Sequence, residues 1–436
     1  MRRPVSLALA LTLAAVAAAP APAAPLAHRE VLPNGVVLLV AERPAVPIVA
    51  VRVFHRAGAV LDPAGREGLA NLAGATLTRG AGGRTARQID EAIEFVGGRL
   101  EADAGRDGLS VSLSVLRRDL GLGLDLLRDV VRSPAFPEAE VKRKVAEIQA
   151  AIKRSEENPE AVASRALGRL VFPGHPYGTP VEGTVESVGG LTRDDVAAFY
   201  RRHVRPDTTI VAVVGAVTVA EARQEIAARL GDWASPPWPP ADVPQAAAPS
   251  AARSERVTRE LTQATIMLGR QAVNQRDPDY FPLAVASYIL GGGSASRLYG
   301  RVRDEGGLAY SVFAWVTPGQ HGASMTVSAQ TRNAEVPKVA RILEEELARM
   351  GREAVMDREL ELAKAYLIGS FPLRLDTSAK VADFLVAIEA MGLGLDYADR
   401  YRERIRAVTA ADVQRVAAKF MPPDTFARVV VAGGGT

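Results

Sequence analysis

LTRDDVAAFYRRHVRPDTTIVAVVG, residues 191–215, and VTAADVQRVAAKFMPPDTFARVVVA, residues 408–432, decide the fold between them. Thr192, Asp195, Val196, Pro206, Asp207, Thr208, Val213 and Val214 recur as Thr409, Asp412, Val413, Pro423, Asp424, Thr425, Val430 and Val431, at a constant separation of 217 residues. Each copy opens on a threonine that can cap a helix. Each then passes through a Pro-Asp-Thr turn into an apolar strand, which makes one supersecondary unit rather than scattered matches. The ungapped register predicts an internal duplication.

Between Gly231 and Arg253 the chain carries Trp233, Pro236-Pro237, Pro239-Pro240 and Pro244, then Ala- and Ser-rich residues with almost no periodicity. That composition predicts a semi-rigid linker. The expected layout is a leader at 1–24, a first domain at 25–230, a linker at 231–254 and a second domain at 255–436. Within the first domain, Pro33-Asn34-Gly35 between Glu30-Val31-Leu32 and Val36 to Val40 is a strong hairpin signal, and a third strand is expected at Ile48 to His55. Helical periodicity follows at Glu67–Leu77, Ala86–Val96, Arg117–Val131 and Glu138–Arg154. Short strands fall between them near Arg99–Ala102 and Leu109–Leu113. The fold class read from this order is α+β, two homologous domains with mixed or antiparallel sheets flanked by helices.

Composition narrows the chemistry. The 436 residues include 53 Lys+Arg against 50 Asp+Glu, 48% hydrophobic residues, 5 His and no Cys. A chain this apolar can bury real cores, and the missing cysteine excludes disulfides, thiolate metal sites, iron–sulfur clusters and a cysteine nucleophile. A net charge of +3 without a long basic run gives no footprint for nucleic acid. Arg2-Arg3, an apolar stretch from Val5 to Ala19 and Ala21-Pro22-Ala23-Ala24 have the order of a secretory signal. The stretch is too short for the roughly 20 apolar residues of a membrane span. The expected location is therefore the periplasm or the exterior, with no span left after cleavage. Tyr280 to Leu290, the longest apolar run, ends in Gly291-Gly292-Gly293 and reads as a buried helix.

Several stretches, in this order along the chain, resemble the pitrilysin/insulinase family of zinc peptidases, especially its bacterial two-subunit and mitochondrial-processing-peptidase-like members. They are Leu32-Pro33-Asn34-Gly35-Val36, Gly68-Leu69-Ala70 with Thr78-Arg79-Gly80, Gly97-Gly98, Phe172-Pro173-Gly174-His175-Pro176-Tyr177-Gly178, Leu290 to Leu298, and Arg303-Asp304-Glu305-Gly306-Gly307-Leu308-Ala309-Tyr310-Ser311. The resemblance implies two related domains facing each other as a clamshell around an extended peptide. It also implies a zinc site built on His-x-x-Glu-His in the first domain, whose spacing sets two imidazoles and a carboxylate on one helix face.

This sequence departs from that pattern where it matters most. After Gly68-Leu69-Ala70 stand Asn71-Leu72-Ala73-Gly74-Ala75, so the face meant for two imidazoles and a carboxylate presents Asn71, Gly74 and Ala75. None is a good zinc ligand or a general base. The position implied for the third ligand reads Ala150-Ala151, and Glu147, a turn earlier, reads as a solvated helix residue. None of His28, His55, His175, His203 and His321 has a second histidine three or four residues on. His175 reads as a satisfied structural histidine.

Arg303 and Tyr310, seven apart, read by spacing alone as a solvated helix end and an ordinary strand residue. The resemblance implies more: a substrate-contact pair reaching polar atoms of a bound peptide, a task that suits a guanidinium fork and a phenol. Gly291, Gly292 and Gly293 read as a turn before a helix, and the resemblance extends to them a substrate contact. Glu344-Glu345-Glu346 and Glu359-Leu360-Glu361 read as solvated helix faces. The expectation is a non-catalytic subunit that binds no cofactor, with zinc held only by a paralogous partner carrying His-x-x-Glu-His. The alternative is a structural or peptide-binding protein of the same fold with no proteolytic role.

Overall fold

Asn34-Gly35 turns the chain as its chemistry dictates. Gly35 takes a φ of 96°, open to a residue without Cβ, and β1 (His28–Val31) folds back antiparallel on β2 (Val37–Glu42). The computed structural model describes residues 26–236, 242–247 and 253–434; the expected leader at 1–24 lies outside them. From β2 the first half continues through β3 (Ile48–His55), α1 (Leu69–Thr76), the two-residue strands β4 (Gly80–Ala81) and β5 (Arg84–Thr85), α2 (Ala86–Phe95), β6 (Arg99–Ala104) and β7 (Leu109–Leu116). Then come α3 (Leu120–Arg132), α4 (Glu138–Ser155), α5 (Pro159–Val171), α6 (Val185–Gly189), α7 (Arg193–His203), β8 (Thr209–Gly215) and α8 (Val219–Leu230). The second half holds β9 (Ser254–Thr258), β10 (Gln263–Gln271), α9 (Tyr280–Gly291), β11 (Ala309–Thr317), β12 (Ser324–Arg332) and α10 (Val336–Arg352). It closes with α11 (Asp357–Ser370), α12 (Ser378–Ala390), α13 (Tyr397–Ala407), α14 (Ala410–Phe420) and β13 (Ala427–Ala432).

The duplication is visible strand by strand. One sheet runs β1-β2-β8-β3-β7-β6 and the other β9-β13-β10-β12-β11, so β2, β8, β3, β7 and β6 correspond in turn to the five strands of the second sheet. In each the first two of these pair in parallel and the rest antiparallel. The repeated threonines cap as their sequence asks. Thr192 Oγ1 accepts from the Asp195 N–H at 3.2 Å, Asp195 returns the bond to the Thr192 N–H, and Thr409 and Asp412 do the same at 3.1 Å.

Both sheets are mixed and flanked by helices, and the two halves face each other as a clamshell. Each half also reaches into the other with one helix. The first half's α5 lies on β10 and β13 of the second sheet, and α12 of the second half lies on β3 and β8 of the first. The contacts are dry: Ala163, Ala166 and Leu167 of α5 share a buried cluster with Met267, Val429 and Val431. The closeness is visible at Gly269, where a Cβ would stand 2.7 Å from Leu167 Cδ2. Ion pairs and loop bonds add to the join. Arg29 forks onto Glu389, while Tyr177 donates to Asp107 and accepts the His321 N–H at 3.1 Å.

Ser254, expected to end the linker, is instead the first residue of β9. The described linker residues are pinned by their carbonyls: Pro244 O accepts from His175 Nε2 and Ala247 O from Gln271 Nε2, both at 2.8 Å. Among the described residues, no helix is long and apolar enough to cross a membrane.

Candidate functional site

The start of α1 is held by a carboxylate. Asp62 Oδ2 accepts the Gly68 N–H and Oδ1 the Ala70 N–H, each at 2.8 Å, and Gly68 adopts a φ of 95° to turn the chain into the helix. Leu69, Leu72, Ala73 and Leu77 bury against the sheet, so the scaffold role expected from their spacing is met. On the adjacent face, Gly74 is buried against β6: a Cβ there would stand 2.8 Å from both Ala104 N and the Asp103 carbonyl carbon. These are backbone atoms of a paired strand and cannot swing aside. α1 has settled onto β6 at a distance that only glycine permits.

That observation decides the fit to a metal. A glutamate at position 74 would collide with β6. Asn71 and Ala75 supply no strong ligand, and Ala150 and Ala151 sit exposed on α4 without donor atoms. Glu147, a turn away, is occupied by Lys144 at 2.9 Å and by Arg143, a solvated cluster as expected. Among the described residues no group of three His, Asp or Glu side chains is placed to hold an ion. The residues present do not fit zinc.

His175 and His55 are committed elsewhere. His175 donates from Nε2 to Pro244 O and accepts the Tyr177 N–H at Nδ1 at 3.1 Å, the satisfied structural role its loop suggested. His55 is fully buried on β3. Thr209 Oγ1 gives its proton to Arg205 O, so it can only accept from His55 Nδ1, at 2.8 Å; Nε2 is left bare beside the edge of Trp233. Burial pulls its pKa from 6.5 down to about 3. The unfolded chain therefore binds a proton that the folded one refuses. This contribution to stability is whole above about pH 6.5 and is lost as the pH falls toward 3, at about 1.4 kcal/mol per pH unit. Urea unfolding of the native chain and of His55→Asn at pH 7 and pH 5 checks this. The native chain loses more stability between the two pH values than the variant does, and equal losses would contradict the assignment.

Arg303 and Tyr310 are brought together. Arg303 lies on a turn of π-helical geometry, Tyr299–Glu305, and Tyr310 at the start of β11, where a bulge between Ala309 and Ser311 leaves it out of register with β12. Arg303 Nη1 donates to Tyr310 O at 3.3 Å, and its guanidinium lies 5.2 Å from the Tyr310 ring and 5.0 Å from that of Tyr299. The pair is nevertheless open to solvent, with Tyr310 78% exposed.

What fixes this turn is a set of ion pairs behind it, partly buried. Arg297 forks onto Glu359 with both bonds at 2.7 Å, and Arg301 binds Glu346 at 2.8 Å and Glu345 at 3.1 Å. Glu346 is 0% exposed, which corrects the reading of Glu344-Glu345-Glu346 as a solvated face. Position 346 falls on the buried stripe of α10 with Val339, Leu343 and Met350, and its charge is tolerated there because Arg301 meets it. Glu359 is likewise engaged rather than free. Glu346 and Glu359 are roles missed from sequence, since their partners are distant along the chain, and Tyr299 was missed although Arg303 lies only four residues on.

Gly291 is the last residue of α9 rather than part of a turn, a correction that follows from packing. A Cβ at Gly291 would stand 2.6 Å from Ala314 N, and one at Gly292 would stand 2.4 Å from Tyr288 Cδ2. Close approach accounts for both glycines. Gly293 follows beside the Tyr288 hydroxyl.

Comparison with known proteins agrees with this geometry. Residues 37–185 match the profile of the insulinase family, peptidase family M16, and residues 190–367 match that of the peptidase M16 inactive domain. An uncharacterized zinc protease of Mycobacterium leprae is 30% identical over 358 residues, 80% of this chain and 79% of that protein. One from Streptomyces coelicolor is 28% identical over 395 residues, 89% of this chain and 86% of that protein. Among solved structures, a peptidase M16 inactive domain from Pseudomonas fluorescens superposes with a TM-score of 0.89 at 24% identity, covering 94% of this chain and 98% of that one. A protease from Helicobacter pylori gives 0.87 at 18% identity, covering 94% and 99%.

Proposed function

The chain belongs to the insulinase family, peptidase family M16, and from that premise we propose that it is a non-catalytic subunit of an exported heteromeric zinc peptidase. It contributes one wall of the peptide chamber and the Arg303/Tyr310 pair to a paralogous partner carrying His-x-x-Glu-His. The observation that carries the proposal is an asymmetry. The helix face that would hold a metal is closed onto β6 through Gly74, while an Arg–Tyr pair stands open to solvent on a turn tied down by partly buried ion pairs at Glu346 and Glu359. Holding two exposed polar side chains in one geometry has an entropic cost, and a fold that keeps them assembled presents them to something. A guanidinium and a phenol are donors suited to peptide carbonyls and to charge developing on one of them. Export to the periplasm is supported by the Arg-Arg start, short apolar stretch and Ala-Pro-Ala-Ala of residues 1–24.

The test is reconstitution. The chain is co-expressed with a paralogous chain from its own host that carries His-x-x-Glu-His, and hydrolysis of quenched fluorescent peptides is followed for each chain alone and for the pair. Activity is expected from the pair and none from this chain alone. A partner equally active without this chain would remove the proposal.

A further inference from the structure

A cavity of about 690 Å³ runs along α7, between the end of α3, α7 and the start of the linker. This is the size range of small-molecule sites. Five arginines line it, Arg132, Arg193, Arg201, Arg202 and Arg205, and no aspartate or glutamate does. Three of the five are already met by carboxylates: Arg132 by Asp232 at 2.5 Å, Arg193 by Asp194 at 3.0 Å and Arg205 by Asp207 at 2.6 Å. Arg201 makes no hydrogen bond or ion pair with the described residues, and it stands exposed beside Arg202 at the cavity rim. The local field is felt by His203, whose pKa is drawn down to about 4 by burial and by the charges of Arg202 and Arg205.

The floor is apolar. Phe136 and Tyr200 meet edge to face at 5.4 Å, and Tyr200 turns its hydroxyl inward to Val131 O at 2.6 Å, so its polar end is spent and its ring faces outward as hydrocarbon. Trp233 forms a side wall. Phe136 is, among the described residues, the single non-glycine with positive φ, at 47°. Such a backbone is strained and is held by its surroundings.

We infer that this cavity binds a small organic anion with an apolar body, its carboxylate or phosphate head taken by Arg201 in the positive field of the neighbouring arginines and its body lying on Phe136, Tyr200 and Trp233. Guanidinium forks match both kinds of head group, and a rim of cations over an aromatic floor selects an amphiphile over an inorganic ion. The inference does not rest on the proposed peptidase partnership, since no residue lining the cavity belongs to α1, β6 or the Arg303/Tyr310 turn.

Isothermal titration of the full chain with decanoate and with decyl phosphate, with decanol as the neutral control, tests it. One molecule per chain is expected for the anions, with decanol at least about tenfold weaker. Arg201→Glu, at an exposed position, should weaken the anions by about tenfold or more, and Ala198→Trp, which fills the rim from the solvent side, should abolish binding. Equal binding of decanol, or unchanged affinity in Arg201→Glu, would overturn the inference. So would capture of the chain by phosphatidylglycerol vesicles without any binding of monomeric decanoate, because that would indicate a charged surface rather than a cavity.

Discussion

Rebuilding the motif, with Asn71→His, Gly74→Glu and Ala75→His together, gives a chain that still retains no zinc and is less stable than the native one by about 3 kcal/mol or more. The loss comes from position 74. Replacing a helical glycine with a residue bearing a Cβ ordinarily gains up to about 1 kcal/mol of helix propensity. Here the new Cβ meets Ala104 N and the Asp103 carbonyl carbon at 2.8 Å, and the strand that owns those atoms is paired along its length with β7. Either α1 lifts away from β6, opening the layer of Leu72 and Ala73, or the strand bends; both cost more than propensity returns. The glutamate adds an uncompensated carboxylate at a buried point. Denaturant unfolding of Gly74→Ala separates the two causes: a loss of about 1–3 kcal/mol assigns the effect to the Cβ alone. A triple variant as stable as the native chain, with one zinc bound, would show that the helix face is merely unfurnished rather than closed.

In the reconstituted assembly, Arg303→Ala lowers kcat/KM by roughly 10²–10³, the range expected when one donor to developing charge is removed. Arg303→Lys recovers only part of it, because an ammonium replaces a planar fork with a point charge and loses its stacking between Tyr299 and Tyr310. The stability of the isolated chain changes little in either variant, since the side chain is exposed and its one hydrogen bond is long. That separation distinguishes contact with substrate from a structural role. Full activity in Arg303→Ala would remove the pair from the substrate path while leaving the partnership itself to be judged by the activity of the two chains together.

Local chemistry made much of the fold legible. The hairpin at Asn34-Gly35, β3 at Ile48–His55, the buried helix at Tyr280 and the two Thr-x-x-Asp caps all depend on residues within a few positions of one another, and all stand where their pattern put them. The constant separation of the repeats foretold an internal duplication, and the two sheets have matching strand order. What could not be read is long-range. The exchange of α5 and α12 between the halves leaves only ordinary amphipathic helices in the sequence. Glu346 looks like its solvated neighbours until Arg301, 45 residues earlier, is folded against it. At the site, the absence of ligands was legible at Asn71, Gly74 and Ala75. The stronger fact, that β6 occupies the space a glutamate would need, required the backbone.

A chain with no place for the metal its relatives' names invoke should emerge from zinc exposure without any. The purified full chain is incubated with excess zinc, dialysed against buffer without chelator and analysed by mass spectrometry for metal per chain. No retained zinc and no hydrolysis by the chain alone are expected. One zinc per chain, accompanied by peptide cleavage that a chelator abolishes, would contradict it.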